Sequence, residues 1–266
     1  MTALGKGIEH VELGVTDMER SVAFYRDLLG LRPLPGATAQ DTWLDAGAAR
    51  IRLVATGPDP APSGWANTNL QGGFRHVGFK EADVDARSAT LRDAGVEFTI
   101  EPRDAIGDVR LSFFYDPDGT LLELVEGAIE HHDVFAPEHR QAKAAGLPAA
   151  GEPPHLDHIA VTVADLDAAL GFWTGAGAEP VGTLVFGDEQ GFVIHDLWAG
   201  PLTLEVFSYD VETEPSPWRT DPSLLGIRAL GAPSADVAAL VAGGAREAAP
   251  DLIEAPDGVA IATGAA

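Results

Sequence analysis

Three histidines stand in the middle of short apolar stretches. They are His10 in Ile8-Glu9-His10-Val11, His76 in Arg75-His76-Val77-Gly78-Phe79, and His158 in Asp157-His158-Ile159-Ala160-Val161. A carboxylate has similar surroundings, Glu123 in Leu121-Leu122-Glu123-Leu124-Val125, where burial is costly without a cation. Imidazole and carboxylate are the ordinary ligands of divalent metals. The chain has no cysteine, so disulfides, thiolate metal sites and cysteine nucleophiles are excluded. A lone mid-strand histidine is more often a hydrogen-bonded structural residue, and His158 is read in that way. No Ser-His-Asp order, Gly-rich phosphate loop or Walker-type run is present.

The elements that position these residues recur. Gly7 to Val15 reads as a strand, and the segment from Asp17 to Gly30 reads as a helix. Asp17 caps that helix, Glu19 adds negative charge to its first turn, and Gly30 ends it. His76 and Asp83 repeat the pattern, then His158 and Asp165, with Phe172 and Trp173 falling on Phe24 and Tyr25. A fainter fourth copy runs from Gly226-Ile227-Arg228-Ala229-Leu230-Gly231 into Ala235-Asp236-Val237. One strand-helix unit is therefore used four times, and this repetition is the main evidence about architecture.

Further strands follow each helix. In the first unit these are residues 31–34, 41–47 and 49–55. In the second they are 96–100, 110–115 and 120–125, the last two joined across Asp116-Pro117-Asp118-Gly119, a strong turn sequence. Residues 127–154 break the pattern and read as a connector with at most a short helix. Its histidines, His131, His132 and His139, are taken as solvated. The third unit ends in the strand at 202–207, and the fourth, poor in large apolar residues, runs from Leu224 to Thr263.

Composition excludes several partners. There are 41 acidic and 17 basic residues, a formal net charge of −24. Such a surface repels phosphate backbones and anionic lipid. No apolar run approaches the ~18–20 residues of a membrane span, and Met1 to Lys6 lacks a signal peptide's apolar core. The expectation is a soluble, cytoplasmic protein with a small-molecule partner and, at most, a second copy of itself.

The strands around His10 and His76, with the ending Asp116-Pro117-Asp118-Gly119-Thr120-Leu121-Leu122-Glu123-Leu124, resemble the vicinal oxygen chelate superfamily. It includes glyoxalase I, methylmalonyl-CoA epimerase, extradiol dioxygenases and bleomycin resistance proteins. The resemblance implies an α+β fold: four βαβββ units paired into two eight-stranded, cup-like half-barrels. Taken in chain order, residues 1–126 form the metal-binding domain, 127–154 the connector, and 155–266 a second, degenerate domain.

By the same resemblance the metal ligands lie on the first and last strands of each unit, at His10, His76 and Glu123. Arg52 occupies the fourth position, and a guanidinium cannot ligate a cation. Two imidazoles and one carboxylate suit non-haem Fe(II), with Zn, Ni or Mn also acceptable. Arg52 either points inward, to pair with a substrate carboxylate or enolate, or lies outward as a solvated charge. Trp43 and Tyr115 are the other residues expected against the substrate. In the second half, His158 and Glu205 fill two ligand-like positions, and Ala229 and Ala262 fall at the other two. The implied function is a divalent-metal enzyme on a small molecule with vicinal oxygens, leaning to an extradiol-type oxygenase. The alternatives are a glyoxalase- or epimerase-type lyase or isomerase, and a metal-free antibiotic-binding protein.

Overall fold

The computed structural model describes residues 2–68 and 70–264. Each of the four expected helices starts at an aspartate that accepts a hydrogen bond from the backbone three residues on. Asp17, Asp83, Asp165 and Asp236 accept from the amides of Arg20, Ala86, Ala168 and Ala239 at 2.9–3.0 Å. This satisfies a donor that the first helical turn leaves unpaired. The helices that follow are Met18–Ala23, continued by a π-helical turn Phe24–Leu28, then Val84–Asp93, Leu166–Ala176 and Val237–Ala242. The connector adds a fifth helix, Pro137–Ala145.

Among the described residues the strands form two mixed sheets, of eight and nine strands. The architecture is the expected α+β one, with neither sheet closed into a barrel. The order of the units within the sheets differs from chain order. The first strand of unit one, His10–Val15, pairs antiparallel with the first strand of unit four, Gly226–Gly231. Likewise Gly73–Lys80 of unit two pairs antiparallel with His155–Thr162 of unit three. Units one and four thus share the eight-stranded sheet, and units two and three share the nine-stranded sheet with Asp133–Val134 of the connector at its edge. A cup confined to 1–126 is not what the sheets build, because its two halves lie in different sheets.

Adjacent units still touch through their helices. Tyr25 donates to Asp116 Oδ2 (2.9 Å), tying the helix of unit one to the last hairpin of unit two. Trp173 Nε1 donates to Asp257 Oδ2 (2.7 Å), tying unit three to unit four in the same way. One apolar cluster, including the fully buried Tyr25, Phe79, Phe114 and Trp173, runs behind both sheets. No helix among the described residues is long and apolar enough to cross a membrane.

Candidate metal centre

In the nine-stranded sheet the first strands of units two and three lie side by side, and the last strand of each unit flanks its own first strand in parallel. Register puts Gly78 opposite Glu123 on one side and Ala160 opposite Glu205 on the other. Four side chains therefore meet on one face: His76, Glu123, His158 and Glu205. His158 Nε2 lies 2.8 Å from Glu123 Oε2 and 3.6 Å from Glu205 Oε2. His76 Nε2 lies 3.2 Å from Glu123 Oε2 and 3.2 Å from His158 Nε2. Ligand atoms of His76, His158 and Glu205 all lie within 4.8 Å of one another.

These spacings suit a shared cation. With bonds of about 2.1 Å, neighbouring ligands of an octahedral ion lie about 3 Å apart. All four side chains are buried, and two imidazole nitrogens facing each other must otherwise settle which one carries the proton. The donor set of two nitrogens and two carboxylates fits a divalent metal and does not single out iron.

The electrostatics of the cluster follow from burial and close contact. Burial pulls His76 down to about 4 despite the opposing pull of Glu123. Burial also acts against the charged forms of His158 and Glu123, but their partners outweigh it. Glu205, Asp157 and Glu123 together raise His158 to about 10, and the two histidines hold Glu123 at about 2. Burial raises Glu205 to about 7. Without a metal, a proton on His158 stands in for the cation.

A second layer of polar groups holds the first. Asp157 Oδ2 lies 2.9 Å from His158 Nδ1, which orients the ring with Nε2 toward the cluster. Lys143, on the connector helix, is buried with its Nζ 3.3 Å from Asp157, 3.6 Å from Asp196 and 3.8 Å from Glu205. His131 is buried as well and bonds Asp196 at 2.9 Å. The connector was expected to be solvated around its histidines. Instead it delivers a cation and an imidazole to the back of the site. His132 and His139 lie nearer the surface, His139 stacked on Trp198 beside Glu179.

The structure brings His76 and Glu123 together, as expected, but not with His10. His10 belongs to the eight-stranded sheet, 3.6 Å from Glu12, with Trp43 edge-on at 4.7 Å. Arg52 lies in the same sheet and is turned neither to a metal nor outward. It donates to Glu12 Oε1 (2.7 Å) and from Nε to Asp41 Oδ2 (2.8 Å), and its guanidinium packs over Trp43. Trp43 and Arg52 are therefore on the opposite cup from His76. Phe113 lines the cavity above His76, whereas Tyr115, two residues further on, falls outside its wall. His158 and Glu205, set aside in the sequence, complete the cluster.

Residues 7–124 match the model of the Glyoxalase/Bleomycin resistance protein/Dioxygenase superfamily. The Escherichia coli K12 protein YaeR is 32% identical over 124 residues, covering 46% of this chain and 96% of YaeR. The chain belongs to this superfamily. Metallothiol transferase FosB of Staphylococcus epidermidis is 30% identical over 129 residues, or 47% of this chain and 86% of FosB. Mouse mitochondrial methylmalonyl-CoA epimerase is 32% identical over 92 residues, 32% of this chain and 50% of the epimerase. Glyoxalase I of Zea mays is similar in structure over 96% of this chain and 90% of its own, with TM-score 0.62 and 17% identity. That last likeness is one of fold.

Proposed function

We propose that the protein is a divalent-metal-dependent lyase or isomerase acting on a small molecule with two adjacent oxygens. The observation that carries this reading is the convergence of His76, Glu123, His158 and Glu205 on the floor of a cavity of about 290 Å³. A bound metal would supply Lewis-acid polarisation of a substrate oxygen. His76, Glu123, His158 and Glu205 would hold it, one residue more than the three-residue set suited to Fe(II) and O2. The set therefore weighs toward proton transfer and away from the extradiol oxygenase, whose premise was a three-residue set including His10. A carboxylate of this floor, Glu205 or Glu123, is the group placed to take and return a proton beside the chelated oxygens. Asp157 and Lys143 hold His158 and Glu205 in place, and the apolar wall excludes water from the floor.

The test is exchange of solvent deuterium into carbons next to a chelating oxygen, followed by NMR across a panel of α-hydroxy ketones and α-hydroxy acids. Metal-dependent exchange without O2 uptake is the expected result. O2 consumption with a catechol panel and no exchange would return the oxygenase. Ligand binding without any bound metal, after attempted loading, would leave the cup as a binding protein.

A further inference from the structure

The wall above the cluster is built of aromatic rings in a continuous run. Phe113 stands edge-on to His76 at 5.0 Å, and Phe207 does so at 6.0 Å. Phe192 leans on Phe207 at 5.1 Å. From there Phe186, Phe192 and Tyr209 form a parallel stack, with centroids 4.4 Å and 5.1 Å apart and planes within 13° and 11°. The run leads from the floor to the rim, where Phe186 is 42% exposed. Between the rings the wall is aliphatic, as at Ile106, Ile129 and Leu184.

Charge in this cavity is confined to two places. The four floor residues form one, and Arg75 and Arg103 the other. Arg75 is engaged with the protein: it donates to Thr162 Oγ1 (3.1 Å) and packs over Phe207 at 4.9 Å. Arg103 is on the exposed rim. Among the described lining residues, no carboxylate lies above the floor to meet an ammonium group. An ammonium-bearing conjugate would thus set its charge against apolar rings at a desolvation cost nothing there repays, and an anionic group would find Arg103 only at the rim. The cavity, about 290 Å³, is at the small end of ligand sites.

We propose that the substrate's two chelating oxygens are carried on an aromatic group: a compact aryl compound, such as an aryl α-hydroxy ketone or α-hydroxy acid. Its ring lies along the stack of Phe186, Phe192 and Tyr209 while its oxygens reach the floor. This assignment rests on the metal-centre reading above. Arenes gain from offset and edge contacts with such rings beyond the area they bury.

The experiment compares two chelators that differ only in their tail, benzohydroxamate and acetohydroxamate, by calorimetry on the zinc-loaded full-length protein. Benzohydroxamate is expected to bind at least about tenfold more tightly, since its ring buries several additional carbons. In Phe192→Ala, and in the rim variant Phe186→Ser, that preference should shrink to about threefold or less with metal content unchanged. Equal affinity of the two hydroxamates for the wild-type protein, or a preference untouched by both variants, would overturn the assignment. If zinc does not load, the metal-centre reading fails instead. Benzamide and acetamide then test the wall alone, and equal binding of that pair would overturn the aryl assignment.

Discussion

The two cups share one plan and differ in what stands at four matching places. In one, His158 lies over Gly78; in the other, His10 lies over Gly231. A Cβ on either glycine would sit about 2 Å from the imidazole, at 2.0 Å and 1.9 Å respectively. From that shared point the registers run in parallel. Glu205 faces Ala160 where Arg52 faces Glu12, and Glu123 faces Gly78 where Ala262 faces Gly231. His76 faces Ala160 where Ala229 faces Glu12. The places of His76, Glu123, His158 and Glu205 are thus taken by Ala229, Ala262, His10 and Arg52. In the second cup a guanidinium answers the buried carboxylate directly, with Glu12 and Asp41 as its partners. The first cup has two carboxylates and two imidazoles facing one another, and its own cation, Lys143, reaches Glu205 only from behind at 3.8 Å. The same fold thus sets a guanidinium among the facing side chains of one cup and leaves those of the other to nitrogen and oxygen ligands alone.

Removing a ligand should have the largest effect. His158→Ala or Glu205→Ala is expected to lower metal affinity by more than the ~10–100-fold typical of losing an outer partner. His10→Ala should leave that affinity unchanged, as titration with a chromophoric chelator would show. Loss of metal binding in His10→Ala would break the comparison.

Lys143→Met strips the buried carboxylates Asp157, Asp196 and Glu205 of their cation. Breaking a buried ionic cluster from one side costs about 3–5 kcal/mol, to be read from urea unfolding, with Lys143→Arg recovering part of it. Unchanged stability would mean that the connector does not hold this cup. Asp157→Asn should lower metal affinity by about 10–100-fold through His158, with the fold intact by circular dichroism.

The second cup answers to pH. Burial pushes the Glu12 carboxyl up, but the imidazole of His10 nearby and the bond from Arg52 outweigh that and hold it below the usual carboxylate range. A lowered folded value contributes stability above the unfolded pKa and loses it as pH falls through the folded one. Arg52→Ala should therefore be about 1–3 kcal/mol less stable than wild type near neutral pH, a gap that closes as the solution is acidified through and below the usual carboxylate range. Unfolding curves at several pH values check this, and metal content should not change.

The four units, their aspartate caps, the Asp116–Gly119 turn and the superfamily were legible because each depends on local sequence. Which unit pairs with which was not. All four first strands have the same apolar character and similar edges, so period and propensity do not choose a partner. Chain order suggested one with two, and that error carried His10 into the site and left His158 out. One signal did point the other way. Units two and three each contain a complete His and Glu pair, His76 with Glu123 and His158 with Glu205, whereas unit one has Arg52 in the second place. The role of Lys143 was invisible because nothing in its Ala-rich surroundings marks a buried cation.

The most direct test of the account is metal content by mass spectrometry on untagged protein, comparing wild type, His158→Ala and His10→Ala after equal loading. The account predicts one equivalent in wild type, one in His10→Ala and none in His158→Ala. Two equivalents in wild type, or a metal kept by His158→Ala and lost by His10→Ala, would contradict it.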